Sequence, residues 1–293
     1  MEQRAFGASG LRVSVLGLGA GQVGDGRLAE EDAARLLHAA LDAGITLIDT
    51  ARGYGLSEER IGRHLGGRRH EFVLSTKVGY DIPGQADWTG PAVTAGIERA
   101  LSTLQTDYLD IVHLHSCDLD VLERGDVIAA LEAARDAGKI RVAAYSGENE
   151  ELAWAIRSGR FGSLQTSINI CDQRDIDAQL PLAQERGMGV IAKRPVANAP
   201  WRYAERPVGN YAEEYWLRLQ AMGLQPGQFE WQELALRFTA FAPGVHTCIV
   251  GTANIEHLRR NIELVGHGPL PADTVEQIRA AFKQHDDNWV GQV

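Results

Sequence analysis

Apolar and polar positions along this chain follow two periods, and the period switches repeatedly from about two residues to about 3.6. Residues 4–15 alternate around Gly7 and Ser9-Gly10, which predicts a β-hairpin that acts as a lid over one end of the main body. Val15-Leu16-Gly17-Leu18-Gly19-Ala20-Gly21 reads as a strand dissolving into glycines. A helix follows over about Leu28–Ala43, with Ala33, Leu36, Leu37, Ala40 and Leu41 on one face and Gly44 as its stop. Next come a strand at Thr46–Thr50, a helix at Ser57–Leu65 with Ser57 as its cap and Glu58 and Glu59 in its first turn, and a strand at Phe72–Val78. Helices at Pro91–Leu104 and Val121–Ala137, the second closed by Gly138, flank a strand at Tyr108–His115. Strands at Ile140–Ser146, Ser163–Ile170 and Gly189–Arg194 enclose helices near Glu150–Ser158 and at Ile176–Arg186. Pro195–Gly227 is a long irregular insertion with a helix near Tyr211–Met222. The chain resumes as a helix at Phe229–Phe241, a strand at Thr247–Gly251, a helix at Ile255–Val265 and a last helix at Ala272–His285.

Eight strand-then-helix units, each long enough for a crossover, require parallel strands. The simplest closure is an α/β fold of the (β/α)8 TIM-barrel type, with an N-terminal β-hairpin and a C-terminal extra helix. No linker or low-complexity segment divides it, so one domain is expected over residues 1–293. A doubly wound sheet is the competitor, because Gly19-Ala20-Gly21-Gln22-Val23-Gly24 fits G-x-G-x-x-G. A dinucleotide fingerprint opens its helix at the glycines, however, and here several polar residues precede the helix at about Leu28.

Composition narrows the function classes. Hydrophobic residues make up 44% and charged residues 23%, enough for a sizeable core. A net charge of −10 and a pI near 5.4 leave no basic face for nucleic acid or an anionic membrane. Cys117, Cys171 and Cys248 are far apart and in no C-x-x-C spacing, so neither a disulfide framework nor a zinc ribbon is expected, and the compartment reads as reducing. No window is apolar for long enough to be a signal peptide or a membrane span, and a cytoplasmic protein is expected.

In a barrel of this kind chemistry gathers at the carboxyl ends of the strands. Those ends carry Asp49, with Tyr54 in the loop between Gly53 and Gly55, then Lys77, His115, Ser146, Gln165 and Asn169, and Lys193-Arg194. Each has an ordinary structural reading alone: an acid that caps a turn, a phenol that packs, a lysine that snorkels, a histidine satisfied by a neighbour. An acid, a phenol, a lysine and a histidine at successive strand ends of one mouth point to proton chemistry.

Leu47-Ile48-Asp49-Thr50-Ala51, Gly53-Tyr54-Gly55, Ser57-Glu58, Ser75-Thr76-Lys77, Asp107-Tyr108-Leu109-Asp110 leading to Leu114-His115, Gly138-Lys139-Ile140-Arg141 leading to Ser146, and Val250-Gly251-Thr252 leading to Asn261 run in one order along nearly the whole chain. In these segments the sequence resembles the aldo-keto reductases. The resemblance implies an NAD(P)(H)-dependent oxidoreductase that interconverts a carbonyl (aldehyde, ketone or sugar) and an alcohol. Tyr54 would be the general acid, Lys77 the cation that stabilises its phenolate, Asp49 the partner of Lys77, and His115 the group that orients the substrate oxygen. A phenol, with an ordinary pKa near 10, needs such a cation. His113, on the same strand face, is expected as a core or supporting residue.

The resemblance also implies where the dinucleotide would lie: along Ala20 and Gly21, with Asp49, Ser146 and Gln165 at the nicotinamide, Lys193 and Arg194 after the seventh strand, Gly251 and Thr252 at phosphate, and His257 and Asn261 at the adenosine end. The family usually has Asn after that serine and this chain has Gly147; it commonly stacks an aromatic where this chain has Lys193-Arg194-Pro195. Arg194 either stacks its guanidinium plane on the ring or is a solvated loop charge. With Arg259 and Arg260 near His257, NADP(H) is the expected cofactor, and NAD(H) is the alternative. The implied partner is a small-molecule carbonyl or alcohol substrate, selected by the Tyr80–Trp88 loop, by Trp201, Tyr203, Tyr211, Tyr215 and Trp216, and by Trp289; no nucleic acid or membrane is implied.

Other readings of the same residues stay open. His113-x-His115-x-Cys117 is a possible metal cluster of a barrel hydrolase. Lys77 or Lys193 is a possible Schiff-base lysine. The same fold also serves as a nucleotide-sensing regulatory subunit.

Overall fold

The computed structural model describes all residues, 1–293. Eight parallel strands close into a barrel: β3 (Leu16–Gly19), β4 (Leu47–Asp49), β5 (Val73–Val78), β6 (Leu109–His115), β7 (Ile140–Ser146), β8 (Ser163–Ser167), β9 (Gly189–Lys193) and β10 (Thr247–Gly251), with β10 pairing back to β3. The doubly wound alternative fails because a closed barrel has no sheet edge. The hairpin is β1 (Gln3–Ala5) paired antiparallel with β2 (Arg12–Ser14). Its turn drives Phe6 into a plug with Leu47, Val73, Ile111, Val142 and Ile191, near the amino ends of the strands. Gly189 lacks a side chain where the Phe6 ring needs the space. The predicted lid therefore seals the end opposite the strand termini that carry the polar residues.

Around the barrel lie α1 (Glu30–Asp42), α2 (Ser57–Leu65), α3 (Gly90–Thr103), α4 (Leu119–Arg124), α5 (Asp126–Asp136), α6 (Asn149–Ser158), α7 (Arg174–Ala178), α8 (Leu180–Glu185), α9 (Glu213–Met222), α10 (Trp231–Ala240), α11 (Ile255–Gly266) and α12 (Ala272–His285). Their apolar faces, among them Leu36, Ile61, Val93, Ile97, Leu131 and Ile156, pack on the outward residues of the strands in one continuous core. No helix is long and apolar enough to cross a membrane.

Four local expectations need correction. The helix expected at Val121–Ala137 is two helices, because Gly125 takes a left-handed conformation (φ 80) between α4 and α5. The helix expected at Ile176–Arg186 breaks at Gln179, because Pro181, in the first turn of α8, has no N–H to donate back to the α7 ladder. The strand expected to reach Ile170 stops at Ser167, and the chain turns back through an Asn169–Asp172 bridge. Ser57 does not cap α2: its hydroxyl donates to the Ala20 carbonyl at 2.9 Å and accepts from Thr50 Oγ1 at 2.8 Å, pinning the loop after β3 to the end of β4.

Candidate active site

Sheet register sets the neighbours at the mouth. Asp49 lies beside Ser75, Lys77 beside His113, His115 beside Ser146, and Ser146 beside Gln165. Alternation within a strand turns Ser75 and Lys77, and likewise His113 and His115, to the same side.

The fully buried Asp49 carboxyl is held on both oxygens. Lys77 Nζ donates to Oδ2 at 2.6 Å, and Ser75 Oγ and Gln165 Nε2 donate to Oδ1 at 2.7 and 3.0 Å. Lys77 also donates to the Thr50 carbonyl at 2.8 Å. Burial by itself pushes the Asp49 pKa up and the Lys77 pKa down. Their mutual attraction and hydrogen bonds outweigh it, so Asp49 ends below the usual carboxylate range and Lys77 above the usual amine range. Ser75 spends its proton on Asp49, so it accepts from His113 Nε2 at 3.1 Å. His113 is entirely buried, and burial pushes it down to about 4. It supports the cluster from below, as a core residue.

Above the pair sits Tyr54. The Lys77 ammonium is 4.8 Å from the Tyr54 ring centroid, and the His115 ring meets Tyr54 edge-on at 6.3 Å. Close backbone approach builds the loop: a side chain on Gly24 would strike the Tyr54 carbonyl, and Gly55, at φ 54, would put one on the Gly24 carbonyl. Buried Arg60 clamps the loop after β3, donating to the Val23, Asp25 and Leu28 carbonyls and pairing with Glu30. His115 makes its one side-chain hydrogen bond through Nδ1, 2.8 Å from the Tyr80 hydroxyl. Burial, then Lys77 and Lys193, push His115 down to about 3.

A second charged cluster lies at the ends of β7, β8 and β9. Glu148, buried, accepts from Thr166 Oγ1 at 2.6 Å, from Ser167 N and Oγ at 3.0 and 2.8 Å, and from Lys193 Nζ at 3.0 Å. Arg194 adopts φ 54 and donates to Ser167 Oγ at 2.9 Å, to the Gln292 carbonyl and to the Tyr211 hydroxyl, with its guanidinium 4.9 Å over the Tyr211 ring. It is therefore an anchored side chain and not a solvated loop charge. Burial and the nearby Glu148 push both Asp172 and Asp175 up to about 7. Glu148 and Arg60 escaped the sequence reading. The signal for Glu148 was an acid two residues beyond a strand-end serine; Arg60 looked like any charge on a helix face.

Ser146 and Gln165 belong to the first cluster: Ser146 Oγ donates to Gln165 Oε1 at 3.1 Å. Gly147 is obligatory, because a Cβ there would lie 2.5 Å from the Tyr145 hydroxyl, which donates to the Cys117 carbonyl. No asparagine fits. A groove of about 440 Å³ runs from Asp49 and Tyr54 along Gly19, Gly21 and Gln22 to Arg194–Arg202 and Ile249–Gly251. Its outer wall is strained, with Arg194, Ala197, Asn198 and Ala199 all at positive φ. Bare glycine backbone on one wall and the start of α11 beyond Gly251 fit an extended, phosphate-bearing ligand. Thr252 closes a turn with Asn254, accepting its amide at 3.0 Å, and His257 is exposed. Asn261 is buried and accepts from Gln232, so it faces α10 and does not line the groove. Ala20 is buried behind the glycines, where its carbonyl receives Ser57.

No three His, Cys, Asp or Glu side chains are close enough to hold a metal ion together. His113 and His115 are instead committed to Ser75 and Tyr80.

The comparisons with known proteins agree with this geometry. A family model described as the aldo/keto reductase family matches residues 15–283. L-galactose dehydrogenase of Arabidopsis thaliana is 26% identical over 90% of this chain and 88% of that protein. A probable voltage-gated potassium channel subunit beta of Oryza sativa subsp. japonica is 28% identical over 97% of each. The solved holo form of an aldo-keto reductase from Bacillus halodurans is 29% identical, with a TM-score of 0.82 over 96% of each chain.

Proposed function

The chain belongs to the aldo/keto reductase family and is an NAD(P)-dependent oxidoreductase acting between carbonyl and alcohol, and from that premise we propose that Tyr54 is its proton donor and acceptor. The observation that carries this reading is the buried Lys77–Asp49 pair directly beneath the Tyr54 ring. Lys77 keeps its proton across the working range, since its pKa stands above the ordinary value, and its charge favours the phenolate that remains when Tyr54 gives up its proton to the carbonyl oxygen. Asp49 holds the ammonium in place through a charge-assisted bond, and Ser75 and Gln165 fix the carboxyl.

His115, depressed to about 3, is a neutral imidazole at working pH. Its role is to donate a hydrogen bond to the substrate oxygen and orient it, while Tyr54 moves the proton. Accordingly kcat/KM should show no limb from His115 between about pH 5 and 8.

When bound, the nicotinamide supplies or accepts the hydride. Gly21, Arg194 and Gly251 line the groove that would hold the dinucleotide, with Ala20 behind them; Ser146, Gln165 and Asp49 lie at its inner end, with Lys193 near them. Thr252 and His257 are proposed at the adenosine end, beyond the groove, with Asn261 behind them, where it meets adenine only on release from Gln232. NADP(H) is the preferred cofactor in this reading. Arg259 and Arg260 carry only exposed ion pairs, to Glu256, Glu230 and Glu263, which solvent and salt screen, so a 2′-phosphate can displace them. The substrate is an aldehyde, ketone or sugar, and the L-galactose dehydrogenase relative favours a sugar.

The competing reading, a nucleotide-sensing regulatory subunit, is favoured by full-length similarity to the potassium channel subunit. NADPH and NADH consumption with a panel of aldehydes, ketones and sugars decides between them. Turnover supports the reductase. Tight nucleotide binding with no turnover on any substrate overturns it.

A further inference from the structure

We infer that Tyr80 is a positioning residue that selects the tautomer of His115: its phenol donates to Nδ1, so the single imidazole proton sits on Nε2, the nitrogen left to meet the substrate oxygen. The inference rests on the reading of His115 as the group that orients that oxygen, and it adds to that reading the device that makes His115 a donor.

A neutral imidazole has one proton and two nitrogens, and only the protonated nitrogen can donate to a carbonyl. In His115 the choice is set by Tyr80, whose hydroxyl lies 2.8 Å from Nδ1. Either atom can donate, so the donor strength of the two groups and the partners of the hydroxyl decide. His115 Nδ1 is the one side-chain partner of that hydroxyl. A phenol is a strong donor and an unprotonated ring nitrogen a strong acceptor, so the Tyr80 proton goes to Nδ1; had Nδ1 been the donor, that proton would have no protein partner. A half-buried phenol seldom leaves its proton unpaired. Burial, followed by the nearby Tyr54, raises the Tyr80 pKa, which keeps the phenol protonated and able to donate. With Nδ1 receiving that proton, Nε2 carries the imidazole hydrogen.

The chain has shaped several residues around this contact. The hydroxyl fits against Gly53 only because that residue lacks a side chain: a Cβ there would lie 2.9 Å from it. The Tyr80 ring packs on Trp88 with centroids 5.8 Å apart, and on His115 at 5.5 Å. Trp88 in turn covers Gly79, at φ 129, where any side chain would strike the indole, and Trp88 N donates to the Gly79 carbonyl at 2.6 Å. Gly53 and Gly79 are therefore both spent on seating one tyrosine. Gly53 is also the residue before Tyr54, so Tyr80 ties the loop of the proposed proton donor to the ring that orients the substrate.

The test is 15N–1H NMR of the full chain with labelled histidine, in which His115 is assigned by the signal lost in His115→Asn. The wild type is expected to show His115 as the Nε2–H tautomer alone. Tyr80→Phe, which removes only the hydroxyl, is expected to bring in the Nδ1–H form and to lower kcat/KM by about 3–30-fold with cofactor affinity unchanged. Gly53→Ala reaches the same end by displacing the hydroxyl, and it keeps the test decisive should Tyr80→Phe fold poorly. A wild-type Nδ1–H tautomer, or an unmixed Nε2–H signal in both variants, overturns the inference. Failure of the parent reading looks different: His115→Asn would then turn over normally whichever tautomer the wild type shows.

Discussion

Two buried charged clusters share one barrel mouth, and they are built on opposite plans. Around Asp49 there is one acid and one ammonium, and both carboxyl oxygens carry donors. Around Glu148 three carboxyls, Glu148, Asp172 and Asp175, meet three cations, Lys193, Arg194 and Arg218, and two of the acids are pushed up to about 7. The first cluster joins side chains on the strands themselves, β4 and β5 side by side and β8 across the barrel, and so inherits the rigidity of the barrel. The second reaches outward. Arg218 donates to the Val290 carbonyl at 2.6 Å, Asn149 and Gly291 exchange bonds of 2.7 and 3.1 Å, and Arg194 donates to the Gln292 carbonyl. The difference separates two uses of buried charge. A minimal, fully satisfied pair fixes an electrostatic environment for proton transfer, whereas a crowded cluster ties the loops after β7, β8 and β9 and the C-terminal tail to the barrel.

The sharpest way to break this contrast is Lys77→Met. It should lower kcat by roughly 10²–10³-fold, the usual loss when one electrostatic partner of a transition state is removed. Because Asp49 would be left buried without its cation, unfolding free energy should fall by about 3–5 kcal/mol, readable by denaturant titration. Glu148→Gln should reverse the balance, costing about 1–3 kcal/mol of stability while kcat falls less than in Lys77→Met, with tail protection from hydrogen exchange reduced. A larger kcat loss in Glu148→Gln than in Lys77→Met would erase the division of labour.

The smallest effect is in the pH dependence of stability. Asp172 and Asp175 have folded pKa values raised to about 7 from an ordinary 3.8, so the folded state binds their protons more tightly. Their contribution is full below about pH 4 and is lost as pH rises through 7. His113 and His115, depressed to about 4 and about 3 from 6.5, act with the opposite sign: their contribution is present above 6.5 and is lost as pH falls. Wild-type Tm should therefore peak between the two. Asp172→Asn should move the maximum to higher pH, and an unmoved maximum would mean that Asp172 does not hold its proton in the folded state.

Much of this was legible in the sequence, and the failures have physical causes. The barrel was readable because short apolar or alternating runs mark the strands and one-sided apolar stripes mark the helices, in strict succession along the chain. Asp49, Tyr54, Lys77 and His115 were readable because strand ends of a barrel share one mouth. The breaks at Gly125 and Gln179 were missed because amphipathic residues continue on both sides of each, and the left-handed turn belongs to one residue. Ser57 looked like a cap because its type and place fit one, yet Ala20 and Thr50, brought from two other elements, take its hydroxyl. The tie of Asn261 to Gln232, of Arg194 to Ser167 and Tyr211, and of the Tyr145 hydroxyl to the Cys117 carbonyl also joins segments remote in sequence. Contacts of this kind have no signature in spacing.

The account turns on Tyr54 above the Lys77–Asp49 pair, and single-turnover reduction of a carbonyl substrate by Tyr54→Phe tests it most directly. The variant keeps the ring over Lys77 and removes only the transferable proton. The expected result is a chemical step slowed by roughly 10²–10⁴-fold with cofactor affinity unchanged. A step within a few fold of wild type would contradict the assignment and send the search for the proton donor elsewhere in the mouth.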